Sequence, residues 1–196
     1  MVPSDETLID FVLRSNAIEG IRATEGPELE DHYHIARMVR DAVQRTNSLL
    51  SPKEIHAALM GRLLARAGEY RDVAVSLIHP AHEHDCRPTP RSTAVPQLMV
   101  RFMQAVEKFQ ALVALPTHRR PDVINRSNTL FFQGLCIHPF VDGNGRTFRL
   151  FHCQLRQLAG LPWLTYEVPE WHELLQQLRW YEDTVFVPMH RELYDA

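Results

Sequence analysis

Apolar residues recur at intervals of three and four along most of the chain, which is the period of amphipathic α-helices. This spacing predicts helices that start near residue 5 and then cover 24–45, 51 to about 64, 97–115, 122–137, about 150–158 and 170–183. The third helix opens on Ser51-Pro52-Lys53-Glu54, a capping box with proline at the first helical position. We therefore expect an all-α fold of about seven helices.

One segment between the third and fourth helices departs from this period. Val73, Val75 and Leu77 alternate with small or polar residues, which is typical of a short strand. Residues 79–88 are polar and end in proline, so we expect a loop or a hairpin there. The predicted fold is a single domain over residues 1–196 that carries a short β-hairpin flap at 72–90.

Composition narrows the class of protein. Hydrophobic residues make up 45% of the 196 residues, which favours a folded globule. The net charge of −3 gives no bulk attraction to nucleic acid or to an anionic membrane, and no apolar run approaches the ~20 residues of a membrane helix. The N-terminus lacks the pattern of a signal peptide. We expect a cytoplasmic protein, with Cys86, Cys136 and Cys153 as free thiols.

A glycine-rich stretch at 138–149, His-Pro-Phe-Val-Asp-Gly-Asn-Gly-Arg-Thr-Phe-Arg, lies between two apolar helices. Pro139 favours an extended or turn conformation at His138 and ends the first helix. Gly143 and Gly145 allow positive φ and a close approach of ligand, and successive amides in such a turn bind anions. Arg146 and Arg149 lie on one face of the next helix, where two guanidiniums suit a polyphosphate.

The same stretch holds groups for metal binding and proton transfer. Asp142 is an oxygen ligand of the kind that phosphate-bound Mg²⁺ uses, and His138 can accept a proton near neutral pH. An EF-hand is excluded because Thr147 and Cys153 stand where that loop needs glycine and glutamate. A Walker loop is excluded because no Gly-Lys-Ser/Thr follows.

Residues 138–149 fill every fixed position of the signature H-x-F-x-[DE]-G-N-G-R-x-x-R and so resemble the Fic (filamentation induced by cAMP) family. The resemblance implies a Fic-type helical domain that transfers a nucleotidyl group, usually AMP from ATP, to a protein hydroxyl with Mg²⁺. It implies that His138 is the catalytic base, Asp142 the metal ligand and Phe140 a buried anchor. The nucleotide-binding residues that it implies are Gly143, Asn144, Gly145, Arg146 and Arg149.

The end of the first predicted helix carries an unusual acid. Gly20 is a plausible residue just past the helix, and Glu19 then opposes the helix dipole at a cost of ~0.3–1 kcal/mol. Ser15 and Glu19 share a face. Ser15-x-x-x-Glu19-Gly20 resembles the Fic inhibitory motif [ST]-x-x-x-E-[GN]. This implies that residues 1–20 form an inhibitory helix in which Glu19 pairs with Arg149 and holds ATP in an unreactive pose.

The predicted flap is open to two interpretations, a surface that binds the target protein and a metal site. Gly68-Glu69-Tyr70-Arg71 resembles the Gly-x-Tyr-Arg that precedes the flap in Fic proteins, where the target protein pairs with the flap backbone by strand addition. The histidines and cysteine of the flap offer zinc-ligand types, but their spacing fits no standard site, so a solvated flap is favoured. These residues are His79, His82, His84 and Cys86. His32 and His34 are expected at the surface or boundary of the second helix.

The sequence leaves several functions open. Members of the family also transfer other phosphate-containing groups, or remove AMP from a target, in which case Glu19 would position water. A nucleotide-sensing or toxin-partner binding module with little turnover is the alternative from a different class, although His138 and Asp142 favour an enzyme. The resemblance also implies a possible homodimer, because inhibition in this family can depend on self-association. The sequence does not identify the target.

Overall fold

The computed structural model describes residues 2–22, 24–79, 82–115 and 120–194, with the side chains of 77–79 and 82–86 outside the described part. The principal helices of these residues are α1 (Asp5–Ile18), α2 (Pro27–Thr46), α3 (Pro52–Met60), α4 (Val95–Val113), α5 (Arg120–Ile137), α6 (Asn144–Leu158) and α7 (Val168–Tyr181). A π-helical turn, Glu182–Phe186, joins α7 to the short α8 (Val187–Met189). The predicted all-α fold with a hairpin is confirmed.

Helix α6 lies at the centre of the fold and packs against α1, α2, α3 and α5. It is so enclosed that even its polar side chains are buried, and most of these have protein partners among the described residues, although the Thr147 hydroxyl has none. Gln154, for example, accepts from the backbone amide of Leu50 at 2.8 Å and donates to its carbonyl at 2.9 Å. Because α6 is held by four surrounding helices, the end of the loop that joins it is held in place as well.

The contact between α5 and α6 depends on a glycine. A Cβ at Gly134 would lie 2.2 Å from Cε1 of Phe148, well inside van der Waals distance. Phe148 is fully buried and meets Phe102 of α4 edge-on, with ring centroids 5.8 Å apart. The missing side chain thus lets the two helices that flank residues 138–143 come together closely.

The hairpin pairs β1 (Ser76–His79) with β2 (His82–Pro88) in antiparallel order. Ser76 lies opposite Pro88 and Leu77 opposite Arg87, and an irregularity follows between Ile78 and His79. The alternation that predicts the strand begins at Val73, yet pairing begins three residues later. The carbonyl of Val73 is taken by Arg71 and that of Val75 by Thr89, so both serve side-chain donors.

Two expectations at the sequence level are wrong. The third helix ends at Met60 rather than near residue 64, because Gly61 is a poor helix former and the carbonyl of Met60 accepts the amides of two turn residues. His32 is fully buried rather than at the surface. Its Nδ1 lies 2.8 Å from Oδ1 of Asn16, and its ring meets the edge of Phe11, because α1 covers this face of α2.

Other expectations concern metals, thiols and membranes. The side chains of the flap residues weighed as zinc ligands lie outside the described part of the chain. Among the described residues, no group of His, Cys, Asp and Glu side chains could hold a metal ion. Cys136 and Cys153 are buried and carry no disulfide. Within the described part of the chain, no helix has the length and apolar character to cross a membrane.

Candidate active site

The loop between α5 and α6 begins with His138 in a left-handed conformation, φ 49°. Helix α5 ends at Ile137, where the sequence predicts its end. A non-glycine residue in this region costs about 1–3 kcal/mol, so its surroundings have to hold it there. Both carbonyls at this point are held by one residue: Arg71 donates to His138 O from Nε and to Pro139 O from its backbone amide, each at 2.8 Å.

Asn144 closes the loop on itself. Its Oδ1 accepts the backbone amide of Phe140 and its Nδ2 donates to the Phe140 carbonyl, both at 2.9 Å. Phe140 is fully buried, as the anchor predicted for it requires. The Asn144 side chain is therefore engaged within the loop, so that any contact of this residue with a nucleotide would have to come from its backbone amide in the first turn of α6.

His56 of α3 supports the other side of the loop. Its ring stacks on Phe140 with centroids 3.9 Å apart and an angle of 11°. The amide of Gly68 donates to its Nδ1 at 2.7 Å, so the ring proton is on Nε2, which donates to the carbonyl of Asp142 at 3.0 Å. Burial lowers the pKa of His56, which keeps this tautomer neutral. Sequence reasoning missed His56, although a histidine on the apolar face of α3 was a signal.

Asp142 presents its carboxylate at the surface of the loop. Oδ1 accepts from the amide of Gly143 at 2.6 Å, which leaves Oδ2 for a cation. Gly143 has φ 71° and a Cβ there would lie 2.8 Å from Sδ of Met60, so both the conformation and the close approach require glycine. An exposed carboxylate beside a helix N-terminus suits a Mg²⁺ that is shared with phosphates.

Arg149 is fully buried beneath the first turn of α6. Its Nε donates to Ser15 Oγ at 2.8 Å, and its Nη2 donates to Ser15 O at 2.9 Å and to Glu19 Oε1 at 2.6 Å. The guanidinium also lies 5.5 Å from the ring centre of Trp171. The structure thus brings Arg149 together with Ser15 and Glu19, which lie 134 and 130 positions earlier in the chain.

The Glu19 carboxylate sits on the start of α6. A Cβ at Gly145 would lie 2.1 Å from Glu19 Oε1, so no side chain fits between them. Gly20 has φ 78° and ends α1 in a Schellman turn, in which Ile21 N donates to Asn16 O at 3.0 Å. An acid therefore fills the place where the free amides and dipole of a helix N-terminus attract anions.

Arg146 has an acidic partner of its own. Its Nη1 donates to Oε1 of Glu28 in α2, and its Nη2 lies 3.4 Å from Sδ of Met60. The Arg146 side chain is 6% exposed and that of Glu28 is 31% exposed. Sequence reasoning missed Glu28, because an acid in the first turn of a helix is ordinarily explained by the helix dipole.

The side chain of His138, at the start of this loop, is partly buried. Burial and then the charge of Arg71 lower its pKa to about 4, against the opposing effects of the Leu135 carbonyl, Glu19 and Asp142. The imidazole is therefore neutral at pH 7, which is the form that accepts a proton.

Trp163 and Tyr166, which follow α6, belong to the core. Trp163 and Tyr166 are buried around Phe11, and the Tyr166 hydroxyl lies 2.9 Å from Nδ1 of His152. Burial keeps the pKa of His152 well below its ordinary value, so this core histidine is neutral. These aromatic residues pack against Phe11 of α1 and so help to position that helix.

Comparison with known proteins agrees with the site. The model of the Fic/DOC family matches residues 51–155, just over half of the chain. The chain belongs to this family, whose members generally transfer AMP or other phosphate-linked groups to proteins. The match covers the flap, the loop and most of α6, whereas Ser15 and Glu19 lie outside it.

Solved structures share the fold. A Fic domain containing signaling protein from Bacteroides thetaiotaomicron matches with a TM-score of 0.71 and 19% identity over 89% of this chain and 72% of that one. A Fic family protein from Desulfovibrio desulfuricans gives 0.61 and 23%, over 89% and 55%. Fic-1 from C. elegans, in a glutamate-to-glycine variant, gives 0.68 and 19%, over 95% and 58%. The chain thus spans little more than half the length of the last two.

Proposed function

We propose that this protein is an adenylyltransferase that moves AMP from ATP to a Ser, Thr or Tyr hydroxyl of a target protein, and that Glu19 inhibits it through Arg149. The observation that carries the proposal is the Glu19 carboxylate between Gly145 and Arg149. A carboxylate held by a guanidinium at a helix N-terminus occupies a site that is suited to a phosphate. ATP and this acid would then compete for the same positive charge.

The proposed reaction assigns one task to each residue. Neutral His138 takes the proton of the target hydroxyl, and the resulting oxygen attacks the α-phosphorus of ATP. The bond from that phosphorus to the bridging oxygen breaks, and pyrophosphate leaves with the bond's electrons. The first-turn amides of α6 and the guanidiniums of Arg146 and Arg149 bind the phosphates and stabilise their charge.

Asp142 is the residue that would hold Mg²⁺. Bound Mg²⁺ would offset negative charge on the polyphosphate. The carboxylate is exposed and is oriented by the Gly143 amide, so it is available without rearrangement of the loop.

The test compares the wild type, Glu19→Gly, and Glu19→Gly with His138→Ala. Each is incubated with Mg²⁺ and with ATP labelled at the α- or the γ-phosphate, alone and with cell extract as a source of targets. We expect α-label on protein with Glu19→Gly, little with the wild type and none with the double variant. Label from the γ-phosphate would instead indicate phosphoryl transfer, and equal labelling by wild type and Glu19→Gly would refute the inhibitory role.

A measurement of ATP binding distinguishes a loss of the chemical step from a loss of nucleotide recognition. His138→Ala is expected to bind ATP as the parent does, because the proposed reaction gives His138 a role in proton transfer and none in holding the phosphates. If that variant loses both ATP binding and transfer, the role of His138 as a base is contradicted.

A further inference from the structure

Arg71 is a buried cation whose acceptors, among the described residues, are all neutral oxygens. The residue is 3% exposed. Its Nε donates to His138 O, its Nη1 to Val73 O at 2.9 Å, and its Nη2 to Thr89 Oγ1 at 3.0 Å and Pro90 O at 2.6 Å. Burying a charge without a carboxylate partner is unfavourable, so this arrangement calls for a reason beyond packing.

The acceptors of Arg71 belong to two parts of the site. Val73 precedes β1, whereas Thr89 and Pro90 follow β2, so the guanidinium bridges both arms of the hairpin at its base. Thr89 Oγ1 also donates to Val75 O at 2.7 Å, which ties the two arms together a second time. The remaining contacts of Arg71 go to the carbonyls of His138 and Pro139.

We propose that Arg71 is a positioning residue that fixes the flap and the base His138 as one unit, so that a hydroxyl presented by an extended target segment on the flap meets the imidazole at a set distance. This inference rests on the proposed adenylyl transfer. The geometry favours it because the flap and residues 138–139 share one rigid, forked donor.

The charge of Arg71 acts on the same histidine. It is the second cause, after burial, of the lowered pKa of His138. The negative charge of a bound triphosphate would raise this pKa. The charge of Arg71 opposes that effect and so helps to keep His138 neutral.

The test uses Glu19→Gly as the parent and adds Arg71→Lys, Arg71→Met or Arg71→Ala. We expect kcat for transfer to fall about 10- to 100-fold in each, with the KM for ATP within about twofold, because misplacing a reacting group by an ångström has effects of this size. Lysine keeps the charge but cannot bridge four acceptors in a fixed plane. Guanidinium ion at millimolar concentration should restore part of the kcat of Arg71→Ala.

The matched control is Arg66→Met. Arg66 lies in the same segment, but its side chain is 58% exposed and pairs with Glu69 and Asp72. We expect its removal to leave kcat and KM unchanged. An equal loss of kcat in the Arg66 and Arg71 variants would overturn the proposal.

Hydrogen–deuterium exchange gives a readout that does not depend on transfer. With Arg71→Met, exchange should rise in peptides from 72–90 and 138–142 and stay unchanged in α4. A uniform rise across all helices would mean general destabilisation, and unchanged exchange in both segments would mean no coupling; either result overturns the proposal. If the parent transfers nothing from ATP, the proposed function fails while the exchange pattern still decides the role of Arg71.

Discussion

Arg146 of α6 and Glu28 of α2 form an ion pair beside the Arg149–Glu19 pair. Both guanidiniums that the proposal gives to the phosphates are therefore paired with carboxylates, one just past the end of α1 and one in α2. Under the proposed function, an entering triphosphate would have to displace two internal anions rather than one. Glu28 is the second of these anions, and it lies outside residues 15–20, which resemble the inhibitory motif.

We expect Glu28→Gln, in the Glu19→Gly protein, to tighten ATP binding about two- to fivefold, which corresponds to an ion pair worth ~0.5–1 kcal/mol. The physical reason is that ATP no longer has to displace a carboxylate from Arg146. Titration calorimetry with ATP and Mg²⁺ measures the change. Asp31→Asn, which removes the α2 acid that pairs with the exposed Arg62 at 3.1 Å, is the control and should leave the affinity unchanged. Weaker binding with Glu28→Gln would show that Glu28 orients Arg146 instead of competing with phosphate.

Gly145→Ala should destabilise the wild type because the new Cβ would lie 2.1 Å from Glu19 Oε1. In the Glu19→Gly background this clash is gone, so the same change should have a smaller effect. We expect a coupling free energy of about 0.5–3 kcal/mol between the two sites, measured by urea unfolding of the four proteins of the cycle. Equal effects of Gly145→Ala in both backgrounds would contradict the contact.

Gly134→Ala is expected to lower the free energy of unfolding by about 1–3 kcal/mol, since the added methyl would overlap the ring of Phe148. The better helix propensity of alanine acts in the opposite direction by up to ~1 kcal/mol. Arg126→Ala, at an exposed position of the same helix, is the control and should stay within about 0.5 kcal/mol of wild type. Adding Phe148→Leu to Gly134→Ala should recover part of the loss, and no recovery would place the strain elsewhere.

Stability should fall as the solution is made acidic. Burial holds the pKa values of His32 and His152 well below 6.5, and burial together with Arg71 lowers that of His138 to about 4. Between pH 6.5 and about 4 the unfolded chain thus binds more protons than the folded one, so the free energy of unfolding decreases as pH decreases through that window. Urea unfolding from pH 7.5 to 4.5 measures the slope. His138→Ala should make it shallower and His34→Ala, at an exposed position, should not; an unchanged slope in His138→Ala would contradict its lowered pKa.

Much of the site could be predicted because it is local in sequence. The spacing within 138–149 depends on one turn and one helix, and these follow from glycine, proline and helical periodicity. The contacts of His56, Arg71 and Glu28 could not be predicted this way, because each joins the loop or α6 to residues more than 60 positions away. The burial of His32 was missed for the same reason: its apolar cover comes from α1.

The burial of α1 limits how much of this helix could move together with Glu19. Leu8, Phe11 and Val12 of this helix are buried in the core, and each contributes about 1.5–3 kcal/mol by burial. Lifting the helix away would expose all three, whereas the Glu19 side chain is 36% exposed and needs only rotation about its own bonds to leave Arg149. Under the proposed inhibition, the moving part is therefore the Glu19 side chain alone, which would shift by a few ångströms at the speed of a rotamer change while α1 stays in place.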